Sequence, residues 1–207
     1  MPETQIPGGT SMANRIIVLA GCTGSGKTTY ARQQFTNALV VSADHYFEDL
    51  AARSGKTYRE VWDPSLLGTA HDLCRQSFAE AVKAGHPIVI VDNTNVRATD
   101  RQRFVNVGLE HGYEVEIHVL SPWLHGTPPL SHEQVAIYLR RCHQRNVHGV
   151  PLEAIAKHFH SLDLPSGVYR AGKPAQFLRP LEGCTGPSTG TTPSWPGWPG
   201  GSGRLKS

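Results

Sequence analysis

Residues 21–28, GCTGSGKT, follow the apolar run RIIVLA and constrain the fold more than any other stretch of the chain. The octapeptide satisfies G-x-x-x-x-G-K-[ST] at every fixed position. Its glycines let backbone N–H groups converge on phosphate oxygens without side-chain clash, and a helix opening directly after it adds its positive N-terminal end. The spacing therefore predicts a buried strand over 15–20, a phosphate-holding loop, and a helix over 26–35. Within the loop, Gly21, Gly24, Ser25, Gly26, Lys27, Thr28 and Thr29 are the candidate nucleotide-binding residues. Lys27 is placed to reach the outer phosphates of ATP, and the Thr28 hydroxyl to meet Mg²⁺.

The rest of the chain alternates in the way such a loop requires. Strands are expected over 38–43 (ALVVSA), 87–92 (PIVIVD) and 113–120 (YEVEIHVL), with a possible edge strand over 175–181. Helical spacing marks 66–85, 98–111, 132–145 and 151–161, and Gly85 and Gly112 stand where two of these end. Strand–helix alternation implies an α/β fold: a parallel sheet of four to five strands with helices on both faces, ligands binding at the carboxyl ends of the strands.

Two carboxylates fall at that edge. Asp92 ends IVIVD and has the form of the acid that manages the metal's water shell, with a turn-capping residue as the other reading. Asp44 ends LVVSAD on a separate strand. It reads as a general base for a hydroxyl nucleophile, or as the cap of the following helix. Thr94 and Asn95, in DNTN, read as substrate contacts or turn residues. Arg141 and Arg145, four apart in YLRRCHQRNVHGVP, share a helix face that Gly149 and Pro151 close off, the form of an Arg-bearing lid. Arg97, Arg101 and Arg103 read as surface charge.

Composition narrows the class without naming a substrate. Of 207 residues, 39% are apolar and 18% charged, ordinary for one globular domain, and the net charge of +3 is too small to argue for nucleic acid by itself. No run approaches a membrane span and the polar start is not a signal peptide, so a cytoplasmic location is expected, or the host cytoplasm for a viral protein. Cys22, Cys74, Cys142 and Cys184 are scattered and read as reduced thiols. Residues 1–13 and the Gly/Pro/Ser/Thr-rich tail 183–207 are expected to be disordered, flanking a domain over 14–182.

Taken in order and spacing, GCTGSGKTTYA, VSADHYF, VIVDNTN and CHQRNVHGVP resemble the polynucleotide-kinase-like branch of P-loop kinases over roughly residues 14–162. The resemblance implies ATP and Mg²⁺ as cofactors, Asp44 as base, Arg145 on the donor phosphates, and a nucleic-acid partner carrying the accepting hydroxyl. That hydroxyl is either a polynucleotide 5′ end or a hydroxymethyl group on a modified base. One departure stands out: the family's acceptor-binding arginine, three residues after the base, is here Phe47. Phe47, Tyr46, Tyr58 and Trp62 read as a base-stacking surface or as core. A small-molecule or nucleoside kinase, and a nucleotide-binding interaction module with little turnover, are the alternatives. No phosphatase motif accompanies the domain, and a lone H-x-T, His125 to Thr127, is one short of what phosphodiesterase chemistry needs.

Overall fold

The computed structural model describes residues 13–122 and 130–163, and the backbone of 176–178. The expectations for residues 1–12, for 123–129 (with His125 and Thr127) and for the tail from 183 lie outside this set. Five parallel strands form one sheet in the order β2-β3-β1-β4-β5: β1 Arg15–Ala20, β2 Leu39–Val41, β3 Ile88–Val91, β4 Glu114–Leu120 and β5 Gln176–Leu178. The helices are α1 Lys27–Gln34, α2 Asp44–Ser54, α3 Tyr58–Val61, α4 Leu67–Lys83, α5 Ala98–Glu110, α6 His132–Arg145 and α7 Leu152–His160.

β1 is central and fully buried from Ile16 to Ala20, as an apolar run between two helical layers must be. Its side chains divide by the pleat. Ile16, Val18 and Ala20 join Phe47 of α2, Phe78 of α4 and Phe104 of α5 on one face. Ile17 and Leu19 meet Ala31, Tyr30 and Phe35 on the other. A third cluster lies above the strand ends, where Tyr138, Leu139 and Cys142 of α6 and Ile155 of α7 pack on Cys22 of the phosphate loop. No described helix is long and apolar enough to cross a membrane.

The second strand is shorter than the expected 38–43. The Ser42 hydroxyl donates to the Asp92 carbonyl and the Ala43 N–H to the Asn93 side chain, so both leave the ladder to brace the turn after β3. The segment 44–61 is not a plain connection: α2 and α3 fill most of it. Phe47 and Ala51, four apart, turn one face of α2 inward, and Gly55 at φ 67° ends the helix in the left-handed region.

Candidate functional site

The loop between β1 and α1 crosses the carboxyl end of the sheet. Gly24 and Gly26 hold φ of 76° and 98°, values that glycine adopts without strain. Gly24 is needed for a second reason, since a Cβ there would lie 2.0 Å from the carbonyl oxygen of Cys142. Helix α6 thus rests directly on the phosphate loop. Cys22 reinforces that contact: its thiol donates to Tyr138 Oη at 3.5 Å and lies 3.7 Å from Cys142 Sγ. The Cys142 sulfur draws the Cys22 thiol down to about 7, overcoming the opposing effect of burial. Cys22, Cys74 and Cys142 are all free thiols.

Lys27 lies 7% exposed, and its ammonium donates to the carbonyls of Gly21 and Cys22 at 3.0 and 2.9 Å. The first-turn N–H groups of α1, from Lys27 to Thr29, have no acceptor within the helix. Buried Ser25 Oγ has no hydrogen-bond partner among the described residues. A positive helix end, a caged cation and an orphaned hydroxyl in one loop suit an anion with several oxygens, so the residues fit a nucleotide's phosphates. Thr28 Oγ1 donates to Asp92 Oδ2 at 2.6 Å. Among the described residues no cluster of three His, Cys, Asp or Glu could hold a metal alone. One hydroxyl beside one carboxylate suits Mg²⁺, which takes its other ligands from phosphates and water.

A cleft of about 580 Å³ opens over this loop. Thr23, Gly24, Gly26, Lys27, Thr28 and Thr29 line it, together with Asp92, Thr94 and Arg145. Asp44 faces the same cleft from the start of α2, with 49% of its side chain exposed. Its Oδ1 accepts from the Tyr58 hydroxyl at 2.7 Å, and its Oδ2 stands 3.9 Å from His148 Nε2. Burial, then the Asp44 charge, push the Tyr58 phenol well above the usual tyrosine range, so it remains a donor. His148 sits three residues beyond Arg145 in the loop after α6, with its ring centroid 4.0 Å from that of Tyr58.

The structure therefore brings Lys27, Thr28, Thr29, Asp92, Thr94, Asp44 and Arg145 together. Four other candidates need correction. Phe47 is wholly buried against Tyr46 and Tyr58, so a substrate contact through its ring is closed off by the core it completes. Asn95, 5% exposed at φ 41°, donates its side-chain amide to the Leu19 carbonyl and braces β1 instead of reaching outward. Arg141 is not among the cleft-lining residues, and its Nη1 is buried without a described partner. Arg145, the last residue of α6, does line the cleft. Arg101, expected at the surface, is fully buried; its guanidinium donates to the carbonyls of Asn95, Val96 and Asp163, clamping the DNTN segment.

Tyr58, His148 and Asn93 join the site without having been picked out as its chemistry. Asn93 could have been read from its place beside Asp92. The other two are brought in by folding alone, since no local spacing relates position 58 or 148 to 44.

Comparison with known proteins agrees with this architecture. A family model described as an AAA domain matches residues 16–125, more than half of the chain. Human NEDD4-binding protein 2 is 27% identical over 145 residues, which is 69% of this chain and 7% of that protein; the chain thus spans only a small part of that relative. A candidate kinase from Chloroflexus aurantiacus shares the fold at a TM-score of 0.56 and 17% identity, covering 82% of this chain and 87% of its own. A chain of the Pnkp1/Rnl/Hen1 RNA repair complex does so at 0.50 and 22%, covering 74% of this chain and 45% of its own.

Proposed function

The chain belongs to the AAA-domain family, and from that premise and its P-loop kinase-type fold we propose that it is an ATP-dependent kinase acting on a hydroxyl of a nucleic acid. One observation carries the reading. Two carboxylates face a single cleft with different partners: Asp92 is bonded to the loop's Thr28, whereas Asp44 accepts from Tyr58 and remains half exposed. A nucleotide switch needs the first acid; a phosphotransferase to a hydroxyl uses both.

The division of labour follows from these positions. Lys27 and the first turn of α1 bind the outer phosphates, and Arg145 neutralises equatorial oxygens from across the cleft. Thr28 and Asp92 would hold Mg²⁺, which would supply positive charge to the phosphates. Asp44 takes the proton of the accepting hydroxyl as its oxygen bonds to the γ-phosphorus and the bond from phosphorus to the β,γ-bridging oxygen breaks. The nucleic-acid assignment is supported by the linear order of the four motifs. Against a polynucleotide 5′-hydroxyl end as the acceptor stands Phe47, whose buried ring occupies the position of the family's acceptor-binding arginine. That observation favours a small-molecule or nucleoside acceptor as the second reading.

Labelled ATP offered to oligonucleotides, hydroxymethylated DNA and small hydroxyl compounds decides between them. Label on nucleic acid is the expected result, label on a small compound alone selects the second reading, and label on no acceptor overturns both. Asp44→Asn should retain ATP binding while transfer falls by roughly two to four orders of magnitude. Transfer at the unaltered rate removes Asp44 from the mechanism.

A further inference from the structure

Asp44 and Arg145 act on opposite ends of the transfer and lie about a hundred residues apart, yet one side chain touches both the base and the Arg145 loop. The Tyr58 hydroxyl donates to Asp44 Oδ1 at 2.7 Å while its ring lies against His148. The ring is flanked on its other contact by Phe47, at 5.7 Å between centroids, which fixes it to the core. α3 itself starts on a local lock, with the Thr57 N–H and hydroxyl both donating to Glu60 Oε2.

The partner loop is equally specified. Asn146 donates through Nδ2 to the Val150 carbonyl at 2.8 Å and accepts from the His148 N–H at 3.1 Å, stapling the loop between Arg145 and Pro151. A second contact seats it on α3, where the Arg59 side chain passes beside Gly149. Arg145, the first residue before the staple, points into the donor cleft. A displacement of Arg145 therefore moves His148, and His148 bears on Tyr58.

We propose that Tyr58 is a positioning residue that couples the base to the lid: it holds the Asp44 carboxylate with Oδ2 turned to the acceptor, and does so only while the Arg145 loop is seated on its ring. This rests on the reading of Asp44 as the base. Fixing Oδ1 leaves Oδ2, which stands 3.9 Å from His148 Nε2 of the same loop, as the proton acceptor, and seating the loop makes that alignment conditional on donor-side closure.

Tyr58→Phe keeps the ring contacts and removes only the hydroxyl. It should lower kcat about tenfold or more, leaving nucleotide affinity and the acceptor KM within about twofold. His148→Ala should lower kcat severalfold, and His148→Phe, which restores a ring, should recover most of that loss. Wild-type turnover in Tyr58→Phe, with Asp44→Asn inactive, overturns the positioning role alone. Equal behaviour of the two His148 variants overturns the coupling. Full activity in Asp44→Asn overturns the base reading, and this inference with it. A readout independent of turnover is tyrosine Cζ NMR, with Tyr58 assigned by its loss in Tyr58→Phe. Asp44→Asn should bring the Tyr58 phenol down toward the ordinary range; a titration unchanged by Asp44→Asn overturns the contact itself.

Discussion

Lys27 shows how one residue serves fold and binding at once. Its ammonium is almost buried, and its observed acceptors are carbonyls of its own loop, Gly21 at 3.0 Å and Cys22 at 2.9 Å. The cation therefore closes the loop from within the cleft proposed to take the outer phosphates. Hydrogen bonds made by a charged group contribute on the order of 1.5–3 kcal/mol. Lys27→Ala should thus weaken nucleotide affinity by about 10–100-fold, read by titration with a fluorescent ATP analogue. Affinity equal to that of the unaltered protein would contradict the phosphate-loop assignment. Thr28 needs no such test of placement, because its 2.6 Å bond to Asp92 already joins the loop to β3 across 64 positions.

Helix α2 carries the proposed base at its first residue and the core at its fourth. Asp44 faces the cleft, and Phe47, one turn on, is wholly buried with Ala51 behind it. Truncating a buried Phe costs about 3–5 kcal/mol. Phe47→Ala should show that loss in denaturant unfolding, and its folded fraction should keep unaltered affinity for ATP; a specific loss of acceptor binding at unchanged stability would return Phe47 to the substrate face. The same helix marks the limit of what the sequence disclosed. Strands β1 and β3 were legible because a parallel strand covered on both faces must be continuously apolar, and Lys27, Thr28 and Asp92 followed from their fixed relation to those strands. α2 carried readable signals, Phe47 and Ala51 four apart and Gly55 as a stop, but its polar and aromatic residues compete with a functional reading. The buried Arg101 and the contacts of Tyr58 with Asp44 and His148 depend on how α3, α5 and the lid loop converge, and short-range periodicity carries no record of that.

Across the whole molecule, a polar line with Glu116 and His118 buried at its centre links three elements. Arg15 of β1 donates to Glu116 Oε1, the other Glu116 oxygen pairs with His118 Nε2 at 2.9 Å, and His118 Nδ1 meets Tyr30 Oη of α1 at 2.8 Å. Burial draws the His118 imidazole below the usual histidine range and outweighs its Glu116 partner, which acts the other way. His158, beside Thr23 of the phosphate loop, is lowered by burial and then by the Lys27 charge. In both cases the folded protein releases a proton that the unfolded chain still takes up below about pH 6.5. The unfolded state then binds more protons, so stability rises with pH through that window. The contribution is complete above about pH 6.5 and is lost as pH falls toward the lower folded values. Glu116 adds a later loss: burial raises it, but the bonds from His118 and Arg15 win and depress it, so its share disappears only within the carboxylate range. Thermal melts at constant ionic strength should already fall from pH 8 to 7, where the folded Cys22 thiol regains its proton, and decline further between about 6.5 and 5. His118→Asn should flatten that decline by removing one of its two sources, and should also shrink the later, Glu116-dependent fall, because the His118 bond that helps depress that carboxyl is lost. A melting temperature constant down to pH 5 would mean that His118 and His158 take up protons equally in both states, and that the buried line tolerates a charged imidazole.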